Sequence, residues 1–234
     1  MAVMTITEEE RSHSLAPRTR LLRGFDRVAS TMKKVIAFHY TIDFAEATIK
    51  EARQEFEVLI PQIPYLGSSN DPLTKSLVGA LYYLALYRVL RKHGETAAEV
   101  GKLTDEITEA YLTSLPWLSK MGLRLFWRLM FTWLGKKIIA KQAAASQKRR
   151  YPEGFVYRYV KGEGRDFDFG MDVVECGICK FFQKQGDDEF TPFICHFDFR
   201  ISRLADSGLV RTLTLAEGND KCDFRYKRGR NAFG

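Results

Sequence analysis

The residues of this chain best equipped for chemistry crowd into its last quarter, where all four cysteines lie: Cys176, Cys179, Cys195 and Cys222. The first two form a C-x-x-C, and thiolates two residues apart can share one metal, so a tetrahedral zinc on Cys176, Cys179, Cys195 and Cys222 is one reading. The usual zinc signature is two such pairs. Here the third and fourth cysteines stand alone, next to Phe193, Ile194 and Phe224, the apolar neighbours expected of free thiols, and no cofactor is the first expectation. Cys195-His196-Phe197-Asp198 reads as helical, which puts positions 195 and 198 on one face, so that a thiol and a carboxylate can point into one cavity. His196 lies about 100° round such a helix and is expected to face solvent. Arg211-Thr212-Leu213-Thr214 reads as a strand opposite Cys222-Asp223-Phe224. Strand alternation places Thr212 and Thr214 on one face and Arg211 with Leu213 and Leu215 on the other, while Asp223 fits either a functional carboxylate or a hairpin charge partner.

These residues need elements to hold them. FVYRYV (155–160) and FDFGMDVV (167–174) alternate as strands, as do LVRTLTL (209–215) and KCDFRYK (221–227), the last two joined by a glycine-containing hairpin loop. CGICKFFQKQG and TPFICHFDFRISRLADSG between them read as helices. Upstream, apolar residues recur at helical spacing from Phe25 to Pro61, again from Asp71-Pro72 to Gly94, and from the capping box Thr96/Glu99 to Pro116. A fourth helix is expected from Trp117 to roughly Gln147, with Lys120, Arg124, Arg128, Thr132 and Lys136 as a polar stripe. The fold class is therefore α+β: an N-terminal layer of about four helices on a four-stranded antiparallel sheet with two further helices. Residues 1–24 read as a flexible tail, 25–150 as a helical region and 151–234 as the cysteine-containing α+β region, co-folded with the helices.

The chain has 234 residues, enough to bury a substantial core, with ordinary apolar and charged shares of 45% and 28%, which excludes wholesale disorder. Its net charge of +7 is local: nine basic and no acidic residues lie between Trp117 and Arg150. A nucleic-acid-binding surface would spread its charge more widely, so no nucleic-acid partner is expected. The wide apolar arc of residues 117–147 points to burial in a helical layer or a homodimer interface, ahead of peripheral contact with an anionic membrane. No apolar run long enough to cross a bilayer is present, and the opening MAVMTITEEERSH lacks the apolar run of a secretion signal, so a reducing cytoplasm is the expected setting. No glycine loop of the phosphate-cradling kind precedes a helix.

Taken together, ECGICKFF, PFICHFDF and GLVRTLTLAEGNDKCDFRYKRG resemble the C-terminal signature of the L-2-amino-thiazoline-4-carboxylic acid hydrolase family, and PYLGSSND and ALYYLALYRVLRKHGET resemble its N-terminal half. The ending is also similar to vinyl-reductase-type small-molecule-binding domains. The resemblance covers about residues 60–228 and implies a bacterial hydrolase that opens a cyclic amidine, a thiazoline bearing an amino group, to an N-carbamoyl cysteine. It maps functional positions onto Cys176, onto the pair Cys195 and Asp198, and onto Thr212, Thr214, Gly218, Cys222 and Asp223. The alternative is a non-catalytic domain holding a lipid or another apolar ligand.

For an amidinium substrate with a carboxylate, Asp198 is the expected partner of the amidinium and Arg211 of the carboxylate. Cys176, which precedes a helix, is the preferred nucleophile over Cys195, because a helix N-terminus favours thiolate. If water attacks instead, Asp198 or Asp223 is the base, and Thr212 or Thr214 donates to the developing charge.

Overall fold

The computed structural model describes residues 16–229, and the chain divides into two compact units, residues 1–94 and 95–234. The helices from Ala97 onward therefore fold with the sheet.

In the first unit, α1 (Arg18–His39), α2 (Ile42–Leu59) and α3 (Pro72–Lys92) pack on one another. The periodicity that reads as one helix up to Pro61 is interrupted at Tyr40, and the Thr41 side chain accepts from the Phe44 amide to start α2. Asp71 accepts from the Leu73 and Thr74 amides and Pro72 opens α3, as their order in the sequence requires. Phe25 stacks on Phe56 at 5.6 Å between centroids, in a core shared with Met32, Ile36 and Leu81. Of the expected tail, residues 1–15 lie outside the described residues, whereas Arg18–Gly24 is helical. Its arginines conceal a buried Leu21, which continues the stripe of Phe25 and Val28.

In the second unit, α4 (Ala97–Ser114) opens on the expected capping box, the Thr96 side chain accepting from the Glu99 amide and Glu99 accepting from Thr96. The expected fourth helix is two: α5 (Trp117–Met130) and α6 (Trp133–Ser146). Thr132, expected on a polar stripe, instead caps α6 by accepting from the Gly135 amide at 3.2 Å. The turn is so tight that a β-carbon at Gly135 would lie 2.2 Å from the Leu129 carbonyl oxygen. Four strands follow in the antiparallel order β1-β2-β4-β3: β1 (Val156–Lys161), β2 (Phe169–Glu175), β3 (Leu209–Val210) and β4 (Cys222–Tyr226). Between β2 and β3 lie α7 (Gly177–Gln185), α8 (Thr191–Cys195) and α9 (Phe197–Ala205). The α+β class holds.

Alternation sorts the sheet as its residue types demand. Tyr159, Met171 and Phe224 are register partners across three strands, as are Arg158, Asp172 and Asp223. On the first face, Phe169, Leu209 and Tyr226 form a core with Ile139 of α6, and Trp127 of α5 packs there, 4.7 Å from Tyr226 between ring centroids. On the opposite face, Asp172 pairs with Lys221 and Arg225 at 2.9 and 2.7 Å. The outer side of α5 is another matter. Leu118, Met121, Leu125 and Leu129 are 49–61% exposed, and no residue of α5 is buried, so α5 is not buried within a helical layer of this chain. Its inward residues reach the sheet only in part, because Trp127 and Met130 sit at the edge of the core rather than within it.

Candidate active site

The site begins where β2 gives way to α7. Cys176 is the N-cap residue of α7, extended at φ −117° and ψ 120°, and the next residue starts the helix. That residue is glycine because a β-carbon there would lie 2.8 Å from the Glu153 carbonyl oxygen and 3.0 Å from the Phe155 ring. Lys180 anchors the same turn, its Nζ donating to the Pro152 carbonyl at 2.8 Å and to Glu175. The Cys176 side chain makes no capping hydrogen bond, but the Cys179 thiol and the amides of Cys179 and Ile178 lie close enough to its sulfur to act on it. Against the opposing effect of burial, these donors hold the Cys176 thiol below the ordinary thiol range. The partner thiol moves the other way: its interaction with Cys176, then burial, push Cys179 far up, so it keeps its proton.

The second half of the site is carried by α9 and the segment after β3. Arg211 Nη1 donates to Asp198 Oδ2 at 2.6 Å, and Nη2 donates to the Cys195 carbonyl at 2.7 Å. The guanidinium lies between two rings, 4.9 Å from the Phe199 centroid and 4.8 Å from that of Phe224. Burial raises the Asp198 carboxyl above its ordinary range, although Arg211 opposes that rise. Yet the Asp198 side chain is 43% accessible. Asp198 acts electrostatically on Cys176, Cys195 and Cys222, and Cys179 feels Cys195 and Cys222, so thiols and carboxylate share one neighbourhood. A cavity of about 320 Å³ is lined by Cys195, His196, Phe199, Arg211, Thr212 and Thr214 among others, and neither Asp198 nor Cys176 is in its lining.

Several expected roles do not survive the geometry. The strand expected over 209–215 ends after Val210, because the Asp223 carboxylate takes the Thr212 and Leu213 amides at 2.8 and 2.6 Å in place of a ladder partner. It also accepts from the Thr212 hydroxyl at 2.8 Å. These donors outweigh burial and lower the Asp223 carboxyl, which makes it a clamp and a poor base. Thr212 is exposed and Thr214 is buried, and both line the cavity. Thr214 donates to Glu217 at 2.7 Å, so neither hydroxyl proton is directed at a ligand. Gly218, at φ 84°, closes the turn that follows. Cys222 is buried, its sulfur accepts from the Leu215 amide at 3.2 Å, and burial pushes its thiol up to about 11. Cys195 is likewise pushed up by burial, although Arg211 pulls it down, so it is the weaker nucleophile. The helix expected over 191–208 breaks into α8 and α9 at His196, which is exposed, borders the cavity and meets the Phe199 ring edge-on. Each terminal nitrogen of Arg211 spends one N–H within the protein, and its Nε has no hydrogen-bond partner.

Two features escape a reading by residue type: the Phe199/Phe224 clamp and the mutual influence of Cys176 and Cys179. Alternation of Phe224 with Cys222 signals the first, and the three-residue spacing at a helix start signals the second. Among the described residues, no group of three or more histidine, cysteine or acidic side chains is arranged to hold a metal ion, so the four cysteines do not converge as a zinc site. Among the same residues no helix is long and apolar enough to cross a membrane.

Fold and site together define an α+β unit in which an acidified thiol stands at a helix start near a carboxylate fixed by a clamped arginine. A family model described as L-2-amino-thiazoline-4-carboxylic acid hydrolase matches residues 73–226, well over half of the chain, and the chain belongs to that family. Membership carries a hydrolase-type function at the level of the family. No curated protein and no solved structure matches the chain.

Proposed function

We propose that the protein is a hydrolase opening a small cyclic amidine of the 2-amino-thiazoline-4-carboxylate type, with Cys176 as nucleophile and Asp198 as the receptor of the amidinium. One observation carries the reading: Cys176 is the N-cap residue of α7, a free and partly accessible thiol beside the first-turn amides of that helix. A thiolate populated near neutrality needs such donors.

The Asp198 oxygen not bonded to Arg211 accepts a hydrogen bond from the amidinium. The Cys176 thiolate adds to the carbon bearing the amino group, forming a carbon–sulfur bond. The ring carbon–sulfur bond then breaks, the departing ring thiolate takes a proton, and an S-linked isothiourea remains on Cys176. Water adds to the same carbon and expels the Cys176 thiolate, which leaves an N-carbamoyl cysteine and returns the enzyme. The balance is substrate plus water, with one new thiol and no ammonia. Arg211 takes no proton; it holds Asp198 in place.

Incubation with 2-amino-thiazoline-4-carboxylate and detection of free thiol tests the reading. Thiol release by the native chain, lost in Cys176→Ala and lowered in Asp198→Asn, is expected. Native protein that binds the amidine without releasing thiol favours the non-catalytic small-molecule-binding alternative.

A further inference from the structure

We propose that Cys176 and Cys179 form a dithiol site for thiol–disulfide exchange, closing to an internal disulfide while reducing a small organic disulfide. The proposal rests on the same Cys176 thiolate as the hydrolytic reading, but not on turnover of an amidine.

The geometry has three parts. A disulfide spans α-carbons roughly 4.4–6.8 Å apart, and the N-cap residue and the third helical residue are separated by about 4.5 Å of rise along α7. The two side chains stand at the same helix start, at its N-cap and third position, and interact with each other. Both thiols are free and partly accessible, in contrast to the buried Cys222. The polarity of the pair suits exchange: the outer position of the helix start carries the thiolate, and the inner one holds a proton until it is needed.

The Cys176 thiolate attacks one sulfur of RS–SR, forming a Cys176–SR mixed disulfide and releasing RS⁻. Cys179 passes its proton to that RS⁻, and its sulfur attacks the Cys176 sulfur. A second RS⁻ departs and takes a proton from solvent. Two cysteine thiols are oxidised to one disulfide, and RSSR is reduced to two RSH. In the closed form the proposed hydrolytic nucleophile is masked.

The test uses the full reduced chain, 2-hydroxyethyl disulfide as probe, acid quenching and peptide mass analysis. Trypsin cutting after Arg165 and Lys180 releases residues 166–180, which contain Cys176 and Cys179 and no other cysteine. That peptide is expected to become lighter by two hydrogen atoms. In Cys179→Ser the same peptide is expected to carry the hydroxyethylthio group on Cys176, and Cys176 to react about tenfold faster than Cys195 near pH 7. In Cys176→Ser the Cys179 thiol is expected to stay unmodified. A disulfide joining Cys176 to Cys195 or Cys222, four unreactive thiols, or a tightly held zinc that shields all four would each overturn the proposal. The two readings fail separately: a native chain that forms the disulfide but releases no thiol from amidines sinks only hydrolysis, and the reverse sinks only exchange.

Discussion

Arg211 and Asp198 make an ion pair of unequal burial: at 2.6 Å, the arginine side chain is 2% accessible and the aspartate 43%. The guanidinium is the fixed member. Two rings hold its plane and the Cys195 carbonyl takes its second terminal nitrogen. The carboxylate is tied through one oxygen and keeps part of its surface accessible. Such a pair sets the position and charge of the aspartate without spending it.

Arg211→Lys is expected to lower stability and activity together. A lysine keeps the charge but cannot span Asp198 and the Cys195 carbonyl while stacking between Phe199 and Phe224. Breaking a buried pair costs several kcal/mol, but the accessible Asp198 regains some hydration, so the expected loss is about 2 kcal/mol. Urea denaturation measures it, and an unchanged midpoint would contradict the clamp.

Cys176→Ala is expected to lower kcat/KM for thiol release by on the order of a thousandfold or more, since it removes the attacking atom. Cys195→Ala, which removes a thiol whose proton is held by burial, is expected to stay within about tenfold of the native chain. Equal effects of the two substitutions would move the nucleophile elsewhere.

Alkylation by iodoacetamide should separate the thiols by pH. The thiolate is the reactive form, so the rate at Cys176 is full above its folded pKa and falls as pH drops through it. That midpoint is expected below the ordinary thiol range, from the helix-start donors. Cys222 is expected to lag until pH approaches about 11. Mass analysis of peptides across a pH series reads both.

Asp223→Ala is expected to destabilise the segment after β3 by about 1–3 kcal/mol, because two amides and a hydroxyl lose a charged acceptor. The folded pKa of Asp223 is lowered. Its contribution is therefore present above the unfolded carboxylate value near 3.9 and lost as pH falls through the folded value. Thermal unfolding of native chain and variant at pH 7 and pH 3 should show a gap in melting temperature that narrows in acid. A gap independent of pH would deny Asp223 this role.

Much of the frame was legible in residue types and spacing. Thr96 with Glu99 and Asp71 before Pro72 mark helix starts, since a cap is a contact between residues two or three apart. Tyr159, Met171 and Phe224 alternate with charged neighbours, and a period of two allows only one choice of inward face. Less legible was where a pattern stops. Thr132 and Thr41 look like polar positions on continuing helices, yet each hydroxyl accepts from a nearby amide and ends one helix to begin another.

What the chain's own order determined, then, is whatever depends on neighbours within a turn or a strand: caps, inward faces, and a thiol at a helix start. What only tertiary structure decided is which long-range partner each charge meets. Arg211, expected to meet a substrate carboxylate, is brought by folding to Asp198, thirteen residues away along the chain, and to the ring of Phe224. Asp223 looked like a base until the segment ten and eleven residues upstream turned its amides toward it. A hydrogen-bond partner is selected by distances of about 3 Å in space, and separation in sequence does not encode those distances once the chain has turned back on itself.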